Sequence, residues 1–140
     1  MTFCDRMRTI AYMKDSCLDI KVSVKALKAL AEAKRLRVAA LLAHSGRALC
    51  VCELTDATGE SQYNISRCLG ALCAAGLVKK EKKGRWAMFS LTLAAGPLGE
   101  FVRRLVRPAP CCPVVSADIA RLEKRLGLRQ KGVCVVGCKC

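Results

Sequence analysis

The sequence is poor in aromatic residues, which make up only 4%, and in acidic ones, 11 against 25 lysines and arginines, and it holds a single histidine. With so few aromatics, and with leucine, alanine and valine dominating the apolar content, a β-sandwich or barrel is disfavoured and helices are favoured. The lone histidine, His44, has no cysteine partner in any recognisable constellation, and no two carboxylates share an apolar setting. No acid, base or activated nucleophile is evident, which argues against an enzyme. Long hydrophobic runs are also missing. The longest, VAALLA at residues 38–43, falls far short of the roughly 20 residues a membrane span needs. Asp5, Lys14 and Asp15 interrupt MTFCDRMRTIAYMKDSC at the N-terminus, so a secretory signal is not expected and the cytoplasm is.

What is present is positive charge and sulfur. A net charge of +14 implies an anionic partner, with nucleic acid ahead of a membrane surface, for which there is no apolar anchor. The length of 140 residues suits one domain with a real core. Eleven cysteines are an odd number, and in a reducing compartment they do not suggest a disulfide framework. Cys68 and Cys73 stand in helix-like surroundings as small hydrophobes. The others of note are grouped: Cys50 with Cys52, Cys111 with Cys112, and Cys134, Cys138 and Cys140 in the tail.

Helical spacing runs through residues 22–43, with a break near 31–34, which predicts two amphipathic helices closed by His44, Ser45 and Gly46. A short helix fits residues 51–58 and ends at Gly59. Ser61 then caps a longer helix, stopped by Gly76, whose apolar face is Ile65, Leu69 and Leu72. LVKKEKK and RWAMFSL flank Gly84 as a hairpin with a basic tip. Pro97 opens another helix with an apolar stripe suited to a dimer partner, Pro108 and Pro110 stop it, and a last helix fits residues 116–126. The fold class expected is mainly α with a small β-hairpin: a winged helix-turn-helix with helical dimerisation elements at both ends. Residues 1–21 form an N-terminal arm, 22–107 the DNA-binding and dimerising domain, and 108–140 a cysteine-containing extension.

The helix after Gly59 is the one that would enter the major groove. It offers Ser61, Gln62, Tyr63, Asn64, Ser66 and Arg67. Asn and Gln can pair bidentately with adenine and Arg with guanine, while Ser and Tyr suit phosphates or base edges. The wing adds Lys80, Lys82, Lys83 and Arg85 as phosphate clamps.

Thiolates select soft metals and metalloids, namely As(III), Sb(III), Cd(II), Zn(II), Pb(II) and Cu(I). In LCVCEL, residues 49–54, Cys50 and Cys52 are one residue apart, and positions i and i+2 of a regular helix do not face each other. Joint use of both sulfurs would require the backbone to bend, and would disturb the helix-turn-helix at its first helix. Cys111 and Cys112 are the expected source of further ligands or of a second site; the tail cysteines Cys134, Cys138 and Cys140 are equally suitable chemically but have no position in space, and Cys4 and Cys17 are weaker candidates.

Taken together, LKALAEAKRLRVAALL, LCVCEL and SQYNISRCLGALCAAGLVKKEKKGRWAMFSL resemble the ArsR/SmtB family of bacterial metal-sensing repressors over residues 24–91. The resemblance implies a homodimer that binds palindromic operator DNA of a resistance operon and leaves it when metal binds. LCVCEL resembles the arsenical-responsive branch, whose paired cysteines bind As(III) or Sb(III). That branch often has a third cysteine three residues on, where this chain has Thr55. The cadmium- and lead-sensing branch shares CVC and draws cysteines from its N-terminal arm, which keeps Cd(II), Pb(II) or Zn(II) as alternatives. Cys68 stands where the family commonly has histidine. Two rival readings are a thiol redox sensor on the same scaffold and a soft-metal carrier relying on the tail.

Overall fold

A computed structural model describes residues 18–93, 97–107, 109–132 and 134. Most of the expected N-terminal arm, with Cys4 and Cys17, lies outside the described residues, as do Cys138 and Cys140. Helix α1 is Ile20–Leu30, opened by Asp19, whose carboxylate accepts from the Val22 amide at 3.1 Å. Helix α2, Ala33–Ser45, is opened by Glu32, which accepts from the amides of Lys34 and Arg35 at 3.2 and 3.3 Å. The expected break therefore falls at Ala31 and Glu32, with a carboxylate satisfying amides that a helix start leaves unpaired. Gly46 ends α2 at a φ of 60°.

A two-residue strand β1, Leu49–Cys50, leads into α3, Val51–Thr58, and α4, Gln62–Ala74, follows. Gly59, at a φ of 73°, makes the turn between α3 and α4, a backbone conformation that glycine adopts without steric cost. Ser61 caps α4 by accepting from the Asn64 amide at 3.2 Å. Strands β2, Val78–Lys83, and β3, Trp86–Leu91, form the wing around Gly84. Helix α5 is Pro97–Val106; after one turn of 3-10 helix at Ala109–Cys111 comes α6, Pro113–Leu126.

Two of these features differ from expectation. The wing is not a bare hairpin but an antiparallel sheet of order β1-β3-β2, in which Leu49 pairs with Phe89 and Cys50 with Met88. Helix α6 starts at Pro113, three residues before the expected Ser116, because proline is well accommodated at a first helical position.

The core gathers Val38, Leu41 and Leu42 of α2, Leu54 of α3, Ile65, Leu69 and Leu72 of α4, and Val102 of α5 with Leu122 of α6. Truncating one such leucine to alanine would cost about 2–5 kcal/mol. The core fixes α4 against α2 and α3, so the exposed face of α4 is presented by a rigid base. The architecture is a winged helix-turn-helix. Among the described residues no helix is long and apolar enough to cross a membrane.

Candidate thiol site and nucleic-acid interface

Cys50 is not on a helix. It has extended backbone, at φ −91° and ψ 166°, and occupies the residue just before α3, while Cys52 lies in the first turn of that helix. The helix begins at Val51 as expected, and the backbone bends between the two thiols at the strand-to-helix junction. Cys50 and Cys52 are buried in one small cluster with Met88 of the wing and Cys134 of the tail, backed by Ala48 and Trp86. The ligand atoms of Cys50, Glu53 and Cys134 all lie within 4.8 Å of one another. A soft ion held at about 2.3 Å from each sulfur keeps its ligands about 4 Å apart, so Cys50 and Cys134, with Glu53, have about the spacing of ligands to one ion. Cys52 is disulfide-bonded, whereas Cys50, Cys68, Cys73, Cys111, Cys112 and Cys134 are thiols.

Burial, reinforced by the Glu53 carboxylate and Cys134, pushes the Cys50 thiol up to about 12. Glu53 itself is fully buried and committed. It accepts from the Cys50 amide at 3.3 Å, and both its oxygens accept from Arg129 at 2.8 Å. Arg129 also donates to the Ala48 carbonyl at 2.7 Å.

Arg129 is the last member of a ladder that sequence reasoning missed. Helix α6 runs antiparallel to α3, with Arg121 donating to the Ala57 carbonyl at 2.7 Å and Arg125 to Asp56 at 2.6 Å. Arg125 also donates to the Cys134 sulfur at 3.7 Å. At the other end of the ladder buried Asp118 accepts from Arg121 at 2.5 Å and is paired with Arg37 of α2, which further donates to the Thr58 carbonyl at 2.7 Å. Burial opposes the charge on Arg125, but Asp56 and Cys134 outweigh it and hold its pKa above the ordinary value; Asp118 does the same for Arg37. The available signal was the four-residue spacing of arginines at 121, 125 and 129, together with two acidic residues on α3.

Cys111 and Cys112 are exposed, at the opposite end of α6 from Cys134. They are not brought together with Cys50 and Cys52 within the chain. Thr55 is buried, with a hydroxyl that has no hydrogen-bond partner among the described residues. Burial raises the Cys68 and Cys73 thiols, in keeping with packing roles; Cys68 and Leu69 both belong to the main core.

Away from the sulfur cluster in sequence, Ser61, Gln62, Tyr63, Ser66 and Arg67 of the α4 region are exposed, and Asn64 is half-buried. Arg67 lies over the Tyr63 ring at 5.6 Å, and the Asn64 amide donates to Glu60 at 3.2 Å. Lys34, first, then Asn64 hold the Glu60 carboxyl below its ordinary pKa. Lys80, Lys82, Lys83 and Arg85 are all exposed on the wing; Lys80 and Arg85 lie over the rings of Phe89 and Trp86 at 5.9 and 5.7 Å. These are the residues expected to touch DNA, brought to one helix and one hairpin by the fold. Exposed apolar side chains gather elsewhere, at Ile20, Val24 and Leu27 of α1 and Phe101 and Leu105 of α5.

Residues 33–80 match the family described as "Bacterial regulatory protein, arsR family". The arsenical resistance operon repressor of Bacillus subtilis (strain 168) is 36% identical over 85 residues, which cover 61% of this chain and 74% of that one. The chain belongs to the ArsR family. The arsenic resistance transcriptional regulator ArsR1 of Pseudomonas putida is 45% identical over 64 residues, 46% of this chain and 49% of that protein. The arsenical resistance operon repressor of Escherichia coli (strain K12) is 39% identical over 69 residues, 49% and 58% of the two chains. The chain thus spans about half to three fifths of the length of these last two relatives. Among solved structures, reduced HlyU from Vibrio cholerae superposes with a TM-score of 0.53 at 28% identity, over 62% of this chain and 87% of that one. The ArsR family is one of regulatory proteins, in agreement with the missing catalytic constellation.

Proposed function

We propose that this ArsR-family chain is a cytoplasmic, homodimeric repressor that binds operator DNA of a metal(loid) resistance operon. Capture of As(III) or Sb(III) by Cys50 and Cys52 releases it. The observation that carries this reading is the position of Cys50. It precedes α3, the first helix of the helix-turn-helix, and it pairs with Met88 on wing strand β3. An ion that draws on this sulfur therefore acts on both elements that hold the DNA-facing residues. The exposed apolar faces of α1 and α5 supply a surface for the second subunit, and the names of the relatives point to arsenicals.

Release needs only that the ion bind the DNA-incompetent state more tightly, and a thousandfold loss of operator affinity corresponds to a coupling of about 4 kcal/mol. Arsenite under anaerobic conditions with excess phosphine reductant should dissociate the parent from its operator duplex. It should leave Cys50→Ser bound, and serine is among the best residues for that helix-capping position, so this variant should fold. Equal release of both proteins would end the reading. Parallel titrations with antimonite, cadmium, lead and zinc rank the inducers.

The disulfide at Cys52 supports a second reading, a thiol redox sensor on the same scaffold. The same experiment separates the two, since release under excess reductant is not oxidation.

A further inference from the structure

The buried cluster around Cys50 contains a sulfur that lies outside the CVC motif. Cys134 is 1% exposed and shares this cluster with Cys50, Cys52 and Met88. Its Sγ lies within 4.8 Å of the Cys50 sulfur, and Arg125 donates to it. The chain leading to it is tied down twice on α3, by Arg125 to Asp56 and by Arg129 to Glu53.

The other candidates for a third ligand fit less well. Glu53 has both oxygens engaged by Arg129, and Thr55 offers a hydroxyl in place of a thiol. Cys111 and Cys112 precede α6, whereas Cys134 follows it. The 14 residues of that helix span about 21 Å. Because α6 is antiparallel to α3, its start lies beside Arg37 and Thr58, and its end lies beside Glu53 and the Cys50 site.

We propose that Cys134 is the third sulfur ligand of the inducer, delivered by the arginine ladder that runs from α6 into the segment after it, so that binding cross-links the C-terminal segment to the first helix of the helix-turn-helix. This rests on the reading that Cys50 and Cys52 capture a trivalent metalloid. The chemistry balances without change of oxidation state at arsenic. Three cysteine thiols displace the three hydroxyls of As(OH)3, three As–O bonds give way to three As–S bonds, and each thiol proton leaves with a hydroxyl as water. Cys52 must first be a thiol. A phosphine reduces its disulfide with one water, giving two thiols and the phosphine oxide. The product is uncharged, as a buried site between paired arginines requires, whereas three thiolates on a divalent cation would leave an uncompensated negative charge there.

The test uses the full chain, reduced with a phosphine under anaerobic conditions and given one equivalent of arsenite. X-ray absorption at the arsenic edge should count three As–S bonds in the parent and in the Cys111→Ser/Cys112→Ser variant. In Cys134→Ser and Cys134→Ala it should count two, with one As–O bond and at least tenfold weaker binding. Arsenite should slow tryptic cleavage after Arg129 and Lys131 in the parent and have no such effect in either Cys134 variant. Three As–S bonds in Cys134→Ser, or their loss in the Cys111→Ser/Cys112→Ser protein, would overturn the assignment of Cys134 while leaving the repressor reading intact. Undiminished arsenite binding by Cys50→Ser would overturn both.

Discussion

Asp118 ties α6 to α2. It is fully buried, and it is held between Arg37 of α2 and Arg121 of its own helix. Removing a carboxylate from such a place leaves a guanidinium without its counter-charge, a loss of about 3–5 kcal/mol in buried pairs. Arg121 is half-exposed and Arg37 one-fifth exposed, so water recovers part of this and the lower end applies. Asp118→Ala should destabilise the fold by about 3 kcal/mol, seen as a lower urea midpoint with an unchanged slope. An unaltered midpoint would show that the ladder is ornamental to stability. In the sequence Asp118 reads as one more polar residue on an amphipathic helix, because its decisive partner lies 81 positions away and no local pattern encodes that distance. The same holds for Cys134: its type and spacing allowed a metal role, but only the docking of α6 gives it a place.

Elements were legible where they carry a strong local signal. Helix α4 has a capping serine, a 3.6-residue apolar face and a terminal glycine; β2 and β3 have a glycine turn between them, and α5 has an opening proline. Strand β1 has none of these, since two residues have no period, and it becomes a strand only by pairing with β3. That pairing makes the CVC stretch a strand-to-helix corner, with the helix starting at Val51 as expected. The division of labour between α4 and the wing leads to a distinct expectation for each. Arg67 is exposed on α4, the helix proposed to face base edges, and Lys82 is exposed on the wing. Arg67→Ala should relax sequence preference, at about 1–3 kcal/mol for the base pair it reads. Lys82→Ala should weaken operator and random duplexes alike and lower the slope of log K against log salt by about one. Competition binding on both duplexes across a salt series distinguishes these outcomes, and identical behaviour of the two variants would refute the division.

At the scale of the molecule, the sulfur cluster is the point where three parts of the chain converge: α3 of the helix-turn-helix, β3 of the wing, and the segment following α6. The residues proposed to face DNA lie on α4, the helix that follows α3, and on the wing that β2 forms with β3, so in the proposed reading inducer and operator would communicate through neighbouring elements. Such coupling is reciprocal at equilibrium. If arsenite weakens operator binding by a given factor, operator must weaken arsenite binding by that same factor. Arsenite titrations of the reduced protein, alone and with saturating operator duplex, should therefore yield affinities whose ratio equals the drop in operator affinity measured separately at saturating arsenite. The Lys82→Ala protein, weaker for every duplex but unchanged at the sulfur cluster, should show the same ratio. A ratio near one, despite efficient release, would mean that arsenite acts by unfolding or aggregating the protein, because a ligand can shift only an equilibrium between states for which its affinities differ.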